Sequence, residues 1–168
     1  MTVAGSTQHR VAVGIGQLAI SSGSDEILVA YGLGSCIGMS VYDPRTGLVG
    51  LVHVLLPSCG GKPADRSEPG RFADTGVDAL FARMTEAGAS TRRLVIKLAG
   101  GASVLGTDNT GKFKIGQRNA DAIQERLKQY GLAPVALDIG GTQGRTLEVH
   151  SATGKTFVRT AASPATEL

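Results

Sequence analysis

The chain has 168 residues, 42% hydrophobic and 18% charged, and 17 Lys+Arg against 14 Asp+Glu leave a formal net charge of +3. That length suits one domain with its own core, and so apolar a chain with so little net charge is not disordered. No apolar run reaches the roughly 18 residues of a membrane span, the first ten residues lack the apolar stretch of a secretory signal, and the basic residues are scattered rather than gathered on a nucleic-acid face. With only two cysteines and no signal segment, the expected setting is reducing and cytoplasmic, with free thiols. The 24 glycines are about twice ordinary usage and imply many tight turns. Aromatics at 4%, with no Trp, leave little for base stacking.

Val11 to Ile20 reads as a strand interrupted by Gly14 and Gly16, and residues 21 to 25 as a turn. Ile27 to Tyr31 is a short buried strand, followed by a tight glycine-rich corner, Gly32-Leu33-Gly34-Ser35. Cys36 to Tyr42 and Leu48 to Leu56 are strands joined through Asp43-Pro44-Arg45-Thr46-Gly47, whose early Pro and final Gly mark a hairpin turn. Pro57 to Arg71 is polar and aperiodic, a loop of about 15 residues, a length that is usually functional. Asp74 is placed to cap a helix carrying Val77, Leu80, Phe81 and Met84 at helical spacing, which Gly88 stops. Leu94 to Leu98 is a strand ending at Gly100-Gly101, and residues 105 to 114 are a polar loop. Asn119 is read as the cap of a second helix with Ala120, Ile123, Leu127 and Tyr130 on one face and Gly131 as terminator. Val135 to Ile139 is a strand, and Thr146 to Val149 with Thr156 to Arg159 make a closing hairpin. The expected fold is α/β of the α+β kind: one domain over 1–168, ordered from about 10 to 160, frayed at both ends, with mixed sheets and helices outside.

Cys36 follows the glycine corner and opens an apolar strand. Taken alone, a free cysteine is more often a small buried hydrophobe than a nucleophile. His53 lies inside an apolar strand, and taken alone is more often a satisfied core histidine. The hairpin links the two. If its loop is Pro44-Arg45, Cys36 faces His53 directly; if it is Pro44 to Gly47, Cys36 faces Leu55 and His53 is its diagonal neighbour on the same face. Such positions stand about 5 and about 7 Å apart at Cβ, both within reach of an imidazole. A thiol beside an imidazole is the minimal unit of thiol acyl chemistry. The N–H of Cys36 with one from the Gly32–Ser35 corner, at Gly34 or Ser35, or one from Gly100-Gly101, suits an oxyanion. Cys59, in a polar loop, has no basic partner implied by spacing. The cysteines and histidines show no metal-ligand spacing, and neither Gly14-x-Gly16 nor Gly100-Gly101 completes a phosphate-binding fingerprint, so no metal or cofactor is expected.

Several blocks together resemble the CheD family of chemoreceptor glutamine deamidases: Gly32-Leu33-Gly34-Ser35-Cys36, His53-Val54-Leu55-Leu56-Pro57, Arg71-Phe72-Ala73-Asp74-Thr75, Lys97 to Ser103, Ile115-Gly116-Gln117-Arg118-Asn119, Asp138-Ile139-Gly140-Gly141, Gly144-Arg145 and Gly154 to Arg159. They run in order over roughly residues 10 to 160. The resemblance implies a hydrolase of bacterial chemotaxis that converts selected glutamine side chains of chemoreceptors to glutamate and releases ammonia. It implies a β-sandwich of mixed sheets flanked by two or three helices, like the bacterial toxin deamidases. It also implies Cys36 as nucleophile, His53 as base, and a CheC-type phosphatase as a second partner beside the receptor cytoplasmic domains. A monomer without nucleic-acid or membrane binding is expected. The family's third catalytic residue is a threonine six positions before the cysteine, and here that position is Ala30. The group that orients His53 is therefore open between a backbone carbonyl, Ser35, Thr75 and water. The alternative to an enzyme is a non-catalytic adaptor that binds receptor and phosphatase.

Overall fold

The structure, a computed structural model, describes residues 7–23, 25–104 and 114–168. All of the polar loop predicted over 105–114 except Lys114, and residues 1–6 of the predicted N-terminal tail, lie outside it. Among the described residues, ten strands form two mixed sheets of five. The first sheet holds β1 (His9–Ala12), β3 (Glu26–Leu33), β8 (Arg145–His150), β9 (Thr156–Thr160) and β10 (Thr166–Glu167), in that spatial order. The second holds β2 (Leu18–Ser21), β5 (Val49–Val54), β4 (Ile37–Tyr42), β6 (Val95–Gly100) and β7 (Ala136–Ile139). Neighbours are antiparallel except β1–β3 and β6–β7. Helices α1 (Ala73–Glu86) and α2 (Ile115–Gln129) pack on the second sheet, and Thr91–Arg93 is one turn of 3₁₀ helix. The α+β sandwich flanked by helices is the expected class.

Strand alternation builds the two core layers. Ile37, Met39 and Val41 of β4 and Val52 and Val54 of β5 point to the helices, where they meet Val77, Leu80, Phe81, Met84, Ile123 and Leu127. The opposite face of these strands meets Leu28, Ala30, Leu33, Leu147 and Val149 of the first sheet and includes Cys36, Val49 and Leu51. The Leu80 and Ile123 faces are thus those the helical spacing predicted.

Four sequence expectations change. Val11 to Ile20 is two strands in different sheets, because the chain turns at Gly14 to Gln17, where the Gln17 N–H donates to the Gly14 carbonyl at 2.9 Å. Gly32 and Leu33 belong to β3: a bulge between Ala30 and Leu33, with Gly32 at φ +64°, returns Leu33 to the inner face and narrows the corner to Gly34-Ser35. Neither Asp74 nor Asn119 caps its helix, since α1 and α2 start earlier and take Phe72 and Lys114 at their N-caps. The tail after Thr160 is not frayed along its length, because β10 pairs with β9 and the Leu168 N–H donates to the Thr156 carbonyl at 2.9 Å.

Candidate active site

The β4–β5 hairpin settles the geometry. Gly38 pairs with His53 and Ile37 with Val54, and the Asp43 N–H donates to the Leu48 carbonyl at 2.9 Å. The loop is therefore Pro44 to Gly47, the longer of the two alternatives. Carried one step beyond β4, this register sets Cys36 across from Leu55, with His53 diagonal to it on the same face. That face is the inner one: a Cβ on Gly38 would fall 2.8 Å from Leu147 Cδ2 and 3.1 Å from Leu33 Cδ1 in the opposite sheet. Asp43 anchors the turn from outside the hairpin. Its buried carboxylate accepts from Arg93 Nη2 at 2.7 Å and from the Ser90 and Arg45 N–H groups, and the Arg93 guanidinium holds it well below the usual carboxylate range.

Cys36 is 6% exposed and His53 2%. Burial pushes the Cys36 thiol up, partly offset by its own N–H directed at the sulfur. Burial pushes the His53 imidazole down, partly offset by the Val13 carbonyl. Both shifts favour the neutral forms, a thiol and an imidazole.

His53 is held from the β1–β2 turn. Its Nδ1 lies 3.0 Å from the Val13 carbonyl, which can only accept, so Nδ1 carries the proton and Nε2 keeps its lone pair. Nε2 is buried without a hydrogen-bond partner among the described residues. The backbone of His53 is gripped by the same turn: its carbonyl accepts from Gly16 N–H at 2.9 Å and its N–H donates to Gln17 at 3.0 Å. Ala30 is fully buried in the inner layer, and the parallel β1–β3 register carries Val13 alongside it. Nothing in the sequence marked Val13, because a backbone carbonyl has no residue signature.

The corner before Cys36 is tied by three consecutive carbonyls. Gly34 accepts from Ala102 N–H at 2.7 Å, Ser35 from Asn119 Nδ2 at 3.0 Å, and Cys36 from Gly101 N–H at 2.8 Å. The Gly101 donor is therefore spent and unavailable to an oxyanion. Gly100 and Gly101 have a packing role here: with φ +117°, a Cβ at Gly100 would sit 2.2 Å from the Cys36 carbonyl. Ile15 and Val104 are about half exposed and lie near this end of the sandwich. Ile15 is in the turn that holds His53, and Val104 Cγ2 is 3.2 Å from an ideal Cβ on Gly34. Cys59 is elsewhere: its N–H and thiol donate to the Asp74 carboxylate, which also accepts from Ser58 Oγ and Thr75 N–H. Asp74 thereby ties the 57–71 loop to the start of α1. Thr75 follows it in the first turn of α1, and His53 takes its Nδ1 contact from Val13 instead. Among the described residues no cluster of three or more His, Cys, Asp or Glu is assembled for a metal, and no helix is long and apolar enough to cross a membrane.

Fold and site together define an α+β sandwich protein with a cysteine and an oriented histidine on one inner face, where the chain crosses between sheets. The chain belongs to the CheD family: the model for CheD chemotactic sensory transduction matches residues 55–160. That stretch begins just after His53, so Cys36 and His53 lie outside it, whereas the matches to the relatives below, of 147 to 156 residues in a chain of 168, extend across both positions. The chain is 43% identical over 150 residues to the "Probable chemoreceptor glutamine deamidase CheD" of Symbiobacterium thermophilum, covering 89% of this chain and 91% of that one. It is 40% identical over 156 residues to the protein of the same name from Haloarcula marismortui, covering 93% and 88%. To the "Chemoreceptor glutamine deamidase CheD" of Thermotoga maritima it is 38% identical over 147 residues, covering 88% and 89%.

Proposed function

We propose that this protein is a cysteine-dependent deamidase that hydrolyses the side-chain amide of selected chemoreceptor glutamines to glutamate and ammonia, in the cytoplasm. The observation that carries the reading is the 3.0 Å contact of His53 Nδ1 with the Val13 carbonyl. With Nδ1–H committed to Val13, the free lone pair on Nε2 belongs to the ring diagonal to Cys36 on the same face. His53 Nε2 takes the Cys36 proton as the sulfur attacks the glutamine Cδ. The carbonyl π pair moves onto oxygen, where the N–H groups of Cys36 and Ser35 receive it. Collapse breaks the C–N bond, and His53 gives its proton to the departing nitrogen as ammonia. A water then attacks the thioester with His53 as base, releasing glutamate and the thiol. The exposed Ile15, in the turn that holds His53, and Val104, against the corner before Cys36, offer apolar contact to a protein substrate.

The relatives' names supply the chemoreceptor as substrate class, and the resemblance supplies a CheC-type phosphatase as second partner. The test is peptide mass spectrometry of a receptor cytoplasmic domain after incubation with the purified protein. An amide-to-acid mass change at discrete glutamines supports the enzyme. An unmodified receptor that nonetheless binds the protein supports the adaptor.

A further inference from the structure

We propose that Asn119 is the positioning residue of the oxyanion site, aiming the Cys36 N–H through the Ser35 carbonyl. This rests on the reading of Cys36 as nucleophile. Asn119 is fully buried on the first turns of α2. That end of the helix sits close on the sheet, since a Cβ at Gly116 would meet the Gly101 carbonyl oxygen at 2.4 Å. The Asn119 amide donates to the Ser35 carbonyl at 3.0 Å and to the Leu55 carbonyl at 2.9 Å. Two carbonyls cannot pair with an amide oxygen, so these contacts also fix which amide atom is nitrogen. Both N–H groups of one side chain therefore hold the residue before the thiol and the residue across from it.

The peptide between Ser35 and Cys36 is trans, so its C=O and N–H point in opposite directions. Holding the Ser35 oxygen sets the direction of the Cys36 N–H. The Ala102 N–H does the same for Ser35 by holding the Gly34 oxygen at 2.7 Å. Neither the Ser35 nor the Cys36 N–H has an acceptor among the described residues, and the Cys36 N–H is directed at its own sulfur. Two adjacent donors whose directions are set by carbonyls held from behind are what an oxyanion site needs. The second atom of the Asn119 amide supports the assignment. Its Oδ1 is buried with no partner among the described residues. An apolar side chain of that volume would carry no such orphan, and an aspartate would carry no donor. What asparagine alone contributes at this size is the pair of N–H groups.

The experiment uses the full chain with Asn119→Leu and Asn119→Asp. It reads kcat and KM for ammonia release from a receptor cytoplasmic domain, and the rate of Cys36 alkylation by iodoacetamide. Alkylation displaces iodide at a saturated carbon and forms no oxyanion. The expected result is a kcat lowered roughly 10- to 100-fold, with KM and the alkylation rate nearly unchanged, because a misaimed donor costs part of what a deleted one does. In Asn119→Asp the deficit relative to wild type narrows as the pH falls, since a protonated carboxyl regains one donor. That profile also keeps the test alive should the leucine variant fail to fold. Wild-type kcat in either folded variant overturns the proposal. So does a parallel fall of kcat and alkylation, which would make Asn119 a support of the thiol itself. If instead Cys36→Ala keeps deamidating, the reading of the nucleophile fails; an inactive Cys36→Ala beside fully active Asn119 variants sinks this inference alone.

Discussion

The Val13 carbonyl accepts from Nδ1 of His53 at 3.0 Å, and Val13 runs alongside Ala30 in the parallel β1–β3 pairing. The position at which the family resemblance leads one to expect a threonine is Ala30, and the acceptor that His53 Nδ1 meets comes from the backbone of the neighbouring strand end. A carbonyl serves this purpose because tautomer and ring angle need only a fixed acceptor.

Ala30→Thr should therefore not raise the deamidation rate. Ala30 is fully buried in the inner layer, so two added heavy atoms should cost about 1–3 kcal/mol of stability by overpacking. Urea denaturation and initial rates check both parts. A folded variant that is faster than wild type would show that Val13 holds His53 poorly.

The pH dependence follows from burial. His53 lies below its ordinary value of about 6.5 and Cys36 above its ordinary value of about 8.5. The kcat/KM profile should be a wide plateau, with its acid limb below about 6.5 and its alkaline limb above about 8.5. Stability carries the same sign. The unfolded chain protonates His53 more readily than the folded one, so this contribution is present above about pH 6.5 and is lost as the pH falls. His53→Gln should lose less stability than wild type between pH 7 and 5. An acid limb above pH 7 would show that the folded protein raises the His53 pKa rather than lowering it.

Asp43→Asn should destabilise the fold by about 1.5–3 kcal/mol at pH 7, the scale of hydrogen bonds to a charged group. The carboxylate is held low by Arg93, so its contribution is present above about pH 4 and is lost as the pH falls through the depressed value. The gap in denaturation midpoint between wild type and variant should be smaller at pH 3 than at pH 7, with part of it persisting. A gap of the same size at both pH values would show that the ion pair contributes nothing beyond its neutral hydrogen bonds.

Cys59→Ala should leave deamidation unchanged and cost about 0.5 kcal/mol or less. Its thiol donates to Asp74 in the loop hook, away from the inner face that holds Cys36. A large loss of activity with wild-type stability would assign the nucleophile to the wrong thiol.

That Cys36 and His53 share a face was legible because hairpin parity depends only on an even loop. Both even loops put the two residues on one face, and the turn residues Pro44 and Gly47 limited the choices. Choosing between them was not legible, because Asp43 is anchored by Ser90 and Arg93, far along the chain. Val13 was hidden for a different reason. It sat inside one predicted strand, and only the turn at Gly14 to Gln17 frees its carbonyl from a ladder to meet His53. Asn119 was singled out by type but given a cap's role, since its partners, Ser35 and Leu55, come from the β-strand half of the fold.

The central claim is that the Cys36 sulfur carries out the amide hydrolysis. It is tested most directly by quantitative peptide mass spectrometry of a receptor cytoplasmic domain incubated with wild type or with Cys36→Ala, both shown folded by circular dichroism. The account predicts glutamine-to-glutamate conversion by wild type and none above the enzyme-free control by Cys36→Ala. Conversion by the alanine variant at the wild-type rate would contradict it.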